Sequence, residues 1–90
     1  MSPIYVMIDL TATGKRIKQL MMENHVTVKD LQEACGLERP QAIYKWLSGK
    51  SLPSMDNMII IRIMLHTTID DILVTNVDEY VRDDYMSLTA

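Results

Sequence analysis

The sequence predicts an all-α bundle of five short helices, on three observations. Apolar residues recur at i, i+3 and i+4 in successive windows from Ile17 onward. Start and stop signals punctuate those windows. Thr27 and Thr68 each precede an acid by three residues, and Gly36 and Gly49 fall just past apolar stripes. With 3 Gly and 3 Pro among 90 residues, tight turns are too few for strands to dominate. A chain of this length organises one small core.

Residues 1–10 are the exception to helical spacing. Ile4, Val6, Ile8 and Leu10 alternate, so this stretch is expected to be a short strand or an extended arm. The period changes at Thr11. Ile17, Leu20 and Met21 share a face, with Lys15, Arg16, Lys18 and Gln19 between them, which gives a first helix over about Ala12 to Asn24. Thr27-Val28-Lys29-Asp30 is a capping box that opens a second helix through Leu31 and Cys35. Gly36 ends it with a left-handed residue, and Leu37 anchors the turn.

Pro40 suits the first turn of a third helix, where its missing N–H would be unpaired anyway. Ile43, Trp46 and Leu47 form that helix's stripe, and Gly49 ends it. Ser54 caps a fourth helix, Met55 to about His66, with Asp56 placed favourably against the helix dipole. Thr68-Ile69-Asp70-Asp71 reads as a second capping box, opening a short fifth helix with Ile69, Ile72 and Leu73. The expected core is Ile17, Leu20, Met21, Leu31, Cys35, Leu37, Ile43, Trp46, Leu47, Met58, Ile61, Leu65, Ile69, Ile72 and Leu73. After Thr75 the pattern weakens. Val77, Tyr80 and Val81 fit either a helical stripe or a docking segment. The expected organisation is therefore an arm over 1–10, the helical domain over 11–75 and an acidic tail over 76–90.

Composition narrows the function classes. At 48% apolar and 23% charged, the chain is an ordinary soluble globular protein, not a disordered, collagenous or disulfide-stapled one. The single Cys35 has no partner for an internal bridge, which fits a reducing compartment such as the cytoplasm. No stretch reads as a secretion signal. The longest apolar run, Met58 to Leu65, is broken by Arg62 and falls far short of the ~20 residues of a membrane span. The net charge of −3 argues mildly against nucleic acid, but its distribution does not. Residues 1–66 carry eight basic and six acidic side chains; residues 67–90 carry Arg82 against six acids. A mildly basic body thus bears an acidic end, and interfaces respond to local field. That end is expected to be solvated, or else to fold back on the basic helix and weaken its binding.

Thr27 to Gly49 (TVKDLQEACGLERPQAIYKWLSG) reads as helix, Gly-containing turn, helix. Here the chain resembles the Xre-type helix-turn-helix family of phage-repressor and Cro-like DNA-binding domains. The matching frame is Thr27, Leu31, Gly36, Leu37, Ile43, Trp46 and Gly49. Ser51-Leu52-Pro53-Ser54 and Asp56-Asn57-Met58 resemble the family's approach to its fourth helix, Thr68 to Leu73 its fifth, and Gly14-Lys15-Arg16-Ile17 its first. The resemblance covers Leu10 to Val74 and implies a lambda-repressor-like five-helix bundle. Three departures stand out. Ile43 lies seven residues after Gly36, one more than the family's usual spacing. Gln32 stands where a small residue commonly faces the recognition helix. Val28 replaces a polar residue that often touches phosphate.

The resemblance implies double-stranded DNA as partner, with the helix from Pro40 to Ser48 in the major groove. Base-reading is expected from Arg39, Gln41, Tyr44 and Lys45. Gln41 can pair bidentately with adenine. Arg39 can reach a guanine or a phosphate, and Lys45 is well placed for the backbone. Lys15, Ser48, Lys50 and the N–H groups at Thr27 are expected phosphate clamps, which position without specifying. Glu38 would repel phosphate unless it takes a cytosine amino group. The basic set is modest, so the salt dependence should be shallow.

Other chemistry finds little support. Trp46 lies in an apolar stripe and is expected in the core. His25 and His66 have no ligand spacing, so no metal site is expected. Asp70 and Asp71 read as helix-cap acids. No phosphate loop, nucleophile elbow or shared-face acid pair is present, so neither an enzyme, a cofactor nor a small-molecule substrate is expected. The fourth helix is apolar around most of its girth, leaving Ile59, Ile60 and Ile63 exposed in a monomer. Two covers are available: the chain's own ends, with Tyr80 and Val81, or a second copy. The need for two half-sites favours a homodimer. The expected function is a sequence-specific transcriptional regulator, most simply a repressor. The alternative is a protein-interaction module of the same fold, like an antitoxin or antirepressor.

Overall fold

The computed structural model describes residues 3–76. Five helices follow one another: α1 (Leu10–Glu23), α2 (Val28–Ala34), α3 (Gln41–Ser48), α4 (Met55–Met64) and α5 (Ile69–Ile72). No strand occurs among the described residues. All of the expected acidic tail except Asn76, including Val77, Tyr80 and Val81, lies outside them.

Side-chain caps start four of the helices. Asp9 accepts the N–H of Ala12 at 2.9 Å, so α1 begins at Leu10, two residues before the expected Ala12. Thr27 accepts from Asp30 N–H at 3.1 Å while the Asp30 carboxylate accepts from Thr27 N–H at 2.9 Å, a closed capping box. Ser54 accepts from Asn57 N–H at 3.3 Å. The second expected box is only half made: Thr68 accepts from Asp71 N–H at 3.1 Å, but the Asp71 carboxylate takes the Thr67 hydroxyl at 3.5 Å instead. Helix α3 has Pro40 at its N-cap with no side-chain cap. Proline therefore sits just outside the helix rather than in its first turn.

The first four helices stop in the same way, with a left-handed residue just past the end. Two of the four are the expected glycines, Gly36 (φ 66) and Gly49 (φ 80); the others are His25 (φ 55) and His66 (φ 52). The backbone closes the same bond at each: Val26 N–H to Met21 at 2.8 Å, Leu37 to Gln32 at 3.0 Å, Lys50 to Lys45 at 2.9 Å and Thr67 to Arg62 at 3.0 Å. The left-handed His66 marks the end of α4 at Met64, short of the expected end at about His66. Histidine tolerates this region better than most side chains, yet pays a steric penalty that glycine avoids. His25→Gly and His66→Gly should each therefore stabilise the fold by about 0.5–1 kcal/mol. Thermal melts should rise by a few degrees for each; a fall in both would refute the reading of these histidines as helix stops.

The core comprises Ile17, Leu20, Met21, Leu31, Ile43, Trp46, Met58, Ile61, Leu65 and Ile72. The remaining expected core residues, Cys35, Leu37, Leu47, Ile69 and Leu73, are half-buried and pack against it. Val26, Val28, Leu52 and Met64 do likewise and were not in the expected set. Thr13 is the one buried polar residue among the described residues. Its hydroxyl accepts the N–H of Val74 at 3.0 Å, tying α1 to the segment beyond α5.

The N-terminal alternation does not make a buried face. Ile4, Tyr5, Val6 and Met7 are all exposed. Among the described residues of the arm, the inner end is held by an antiparallel bridge of Ile8 with Thr75. Asp9 N–H donates to Val74 O at 2.8 Å and Asn76 N–H to Met7 O at 3.0 Å. Met7 N–H turns to the Asn76 side chain at 2.8 Å.

Candidate nucleic-acid interface

Helix α3 divides cleanly by period. Ile43 and Trp46 are buried, and Ala42 and Leu47 are half-buried. Gln41, Tyr44, Lys45 and Ser48 are exposed, at i, i+3, i+4 and i+7, which is one continuous stripe. Arg39 and Lys50 are exposed at its two ends. The structure thus brings six of the eight expected DNA-contacting residues onto or beside one helix face.

What holds that face outward is the packing behind it. Gly14 of α1 lies against the last turn of α3; a methyl group there would come within 2.5 Å of the Trp46 carbonyl oxygen and 2.6 Å of that of Leu47. The chain leaves α3 through Gly49, itself against the backbone of Thr11. Lys15, exposed on α1, directly follows Gly14 and so starts from the same end of α3 as Lys50. Thr27 stands apart, at the start of α2.

Hydrogen bonding sets what each group offers. The Thr27 N–H, expected to meet phosphate, is instead committed to the Asp30 carboxylate, and the Thr27 oxygen accepts from Asp30 N–H, so only its hydroxyl proton remains for an anion. Ser48 donates its proton to Lys45 O at 3.2 Å; a phosphate contact would require that hydroxyl to rotate. At α3 the first turn carries no acid and no side-chain cap. Its leading N–H groups and the positive end of the dipole are thus left for an external anion. That open helix start, a consequence of Pro40 at the N-cap, is absent from the sequence reading. The nearby opposing charge is Glu38, exposed in the turn.

Two ionisable groups are shifted. The backbone N–H of Thr27, then its hydroxyl, holds the Asp30 carboxyl below its ordinary value. A lowered carboxyl pKa favours the fold above pH ~4, and that contribution shrinks as the pH falls through the native value. The stability difference between wild type and Asp30→Ala, read from urea midpoints, should therefore be larger at pH 6 than at pH 3. A difference that does not change with pH would contradict it. Burial pushes the Cys35 thiol up, keeping it a neutral packing group at the end of α2. No group of His, Cys, Asp and Glu side chains among the described residues could hold a metal ion.

The fourth helix bears a second exposed feature. Met55, Ile59 and Ile63 are 65%, 39% and 57% exposed, at i, i+4 and i+8 along one apolar stripe. Ile60 is half-buried, so it leaves the expected exposed set. Met55 takes its place, a residue hidden from sequence reasoning because it opens the helix.

Comparison with known proteins adds one match. A family described as helix-turn-helix matches residues 17–72, from the middle of α1 to the end of α5. No curated protein and no solved structure matches the chain. The family is a DNA-binding regulatory domain, and no described helix is long and apolar enough to cross a membrane.

Proposed function

The chain belongs to the Xre-like helix-turn-helix family, and from that premise we propose that it is a sequence-specific regulator of transcription that reads duplex DNA with α3. The observation that carries this reading is the exposed stripe of Gln41, Tyr44, Lys45 and Ser48, backed by a buried Ile43 and Trp46 and flanked by Arg39 and Lys50. In this reading Gln41 and Tyr44 meet base edges in the major groove, and Arg39 meets a guanine or a phosphate at the uncapped helix start. Lys45 faces base edge or backbone. Lys15, Ser48, Lys50 and the hydroxyl of Thr27 contact phosphates. Repression by occupying a site is the simplest action of such a reader, in the cytoplasm.

The test is fluorescence anisotropy against DNA from upstream of the protein's own gene and a scrambled duplex, across a salt series. Tighter binding to the upstream DNA supports the reading. Absence of binding to either duplex at low salt would transfer the fold to the second reading, a protein-interaction module. The exposed Met55, Ile59 and Ile63 stripe favours that second reading.

The same stripe supports a homodimer within the first reading, since two copies would place two α3 helices on successive half-sites. Ile63→Glu would put a charge within such an interface. Light scattering after size exclusion should then show a dimer for wild type and a monomer for the variant. A wild-type monomer at high concentration would rule the dimer out.

A further inference from the structure

We propose that Gln32 is a positioning residue for DNA recognition, clamping the turn that delivers α3 to the groove; this rests on the reading of α3 as the DNA-contacting helix. Six residues, from Cys35 to Pro40, separate α2 from α3. Gln32 holds that segment twice. Its backbone carbonyl accepts the N–H of Leu37 at 3.0 Å, and its side-chain Nε2 donates to the carbonyl of Glu38 at 3.1 Å. Beyond Glu38 no side-chain cap fixes the start of α3, because Pro40 occupies the N-cap. The Gln32 amide is thus the last side-chain anchor before Arg39 and Gln41.

The half-buried position of Gln32 between α2 and the turn explains why a long polar residue fits there. Its amide reaches across to the turn and satisfies the Glu38 carbonyl there. The donor must be the amide: a carbonyl accepts only, and a carboxylate in that place would face it unfavourably. Gln32 also fixes where the Glu38 charge stands relative to the DNA. Losing the bond frees Glu38, Arg39 and the start of α3 together. The consequence falls on base reading, which needs register, and spares phosphate contact from Lys45 and Lys50, which does not.

The test uses the full chain. Wild type selects its preferred duplex from a random pool, and affinities for that duplex and a scrambled one are compared in Gln32→Met, which matches glutamine in reach but has no donor. The selected duplex should bind about three- to tenfold more weakly, the worth of one hydrogen bond, with scrambled-duplex affinity and salt slope unchanged. Unchanged selectivity would overturn the proposal. So would an equal loss on both duplexes with a lowered melting temperature, the mark of a purely structural role. Gln32→Glu, equal in size with an acceptor in place of the donor, carries the same comparison if methionine disturbs folding. The clamp is also read without DNA. In isotope-labelled protein, Gln32→Met should shift the amide resonances of Arg39 and Gln41, whereas shifts confined to α2 would refute it. If wild type selects no sequence, DNA reading fails and the proposed role with it, while the resonance shifts still judge the clamp.

Discussion

Gly49→Ala should be the most damaging single-methyl substitution in this fold, costing about 2–5 kcal/mol by two additive mechanisms. Gly49 is left-handed at φ 80, where a Cβ costs about 1–2 kcal/mol. It also lies against α1: the added carbon would stand 2.6 Å from Thr11 Cα and 2.8 Å from Thr11 N. Backbone cannot rotate away as a side-chain tip can, so overlap adds about 1–3 kcal/mol. Against the 5 kcal/mol or so expected of a small domain, that loss would populate the unfolded state at room temperature. Gly36→Ala supplies the control. Gly36 is also left-handed, at φ 66, but nothing lies within 4 Å of its added carbon. It should lose only the conformational part, about 1–2 kcal/mol. Urea denaturation of the two variants measures the difference; equal losses would mean that the approach of α1 to the end of α3 is not tight.

Gln41→Ala should sharply reduce sequence preference while leaving the protein folded. Gln41 is exposed on the α3 stripe, makes no side-chain bond within the described residues, and can pair with both edge atoms of an adenine. Losing such a pair costs about 1–3 kcal/mol, or roughly 5- to 150-fold, on the preferred duplex only. Lys45→Ala should act differently. It should weaken preferred and scrambled duplexes alike and reduce the salt slope by about one. Anisotropy with both duplexes across a salt series separates the two. If Gln41→Ala weakens both duplexes equally, glutamine is not reading a base and the register along α3 must be reassigned. Unchanged melting temperatures in both variants would confirm that any loss lies at the interface.

Much of this fold was legible because its signals are local. Ile17, Leu20 and Met21, or Ile43, Trp46 and Leu47, repeat at the helical period whatever surrounds them. The threonine caps at 27 and 68 and the glycine stops at 36 and 49 act within one turn of chain. The outward face of α3 follows from the same period, since burying Ile43 and Trp46 leaves Gln41, Tyr44, Lys45 and Ser48 on the other side. The histidine stops were not legible. Nothing in His25 or His66 marks a left-handed residue, and their conformation follows from where the core lets α1 and α4 end.

The sequence by itself determined the five helices, their apolar stripes and the polar residues that α3 presents, because side-chain period and capping chemistry are written in neighbouring residues. Only the tertiary structure decided what depends on contacts between distant residues. It placed Gly14 and Gly49 against backbone, buried the Thr13 hydroxyl to meet Val74, and pinned the inner end of the arm to Asn76. It left Ile60 half-buried and Met55 exposed, and it joined Gln32 to Glu38 across the turn. Each of these is set by which surfaces meet when the helices pack, and sequence spacing alone carries no record of that meeting.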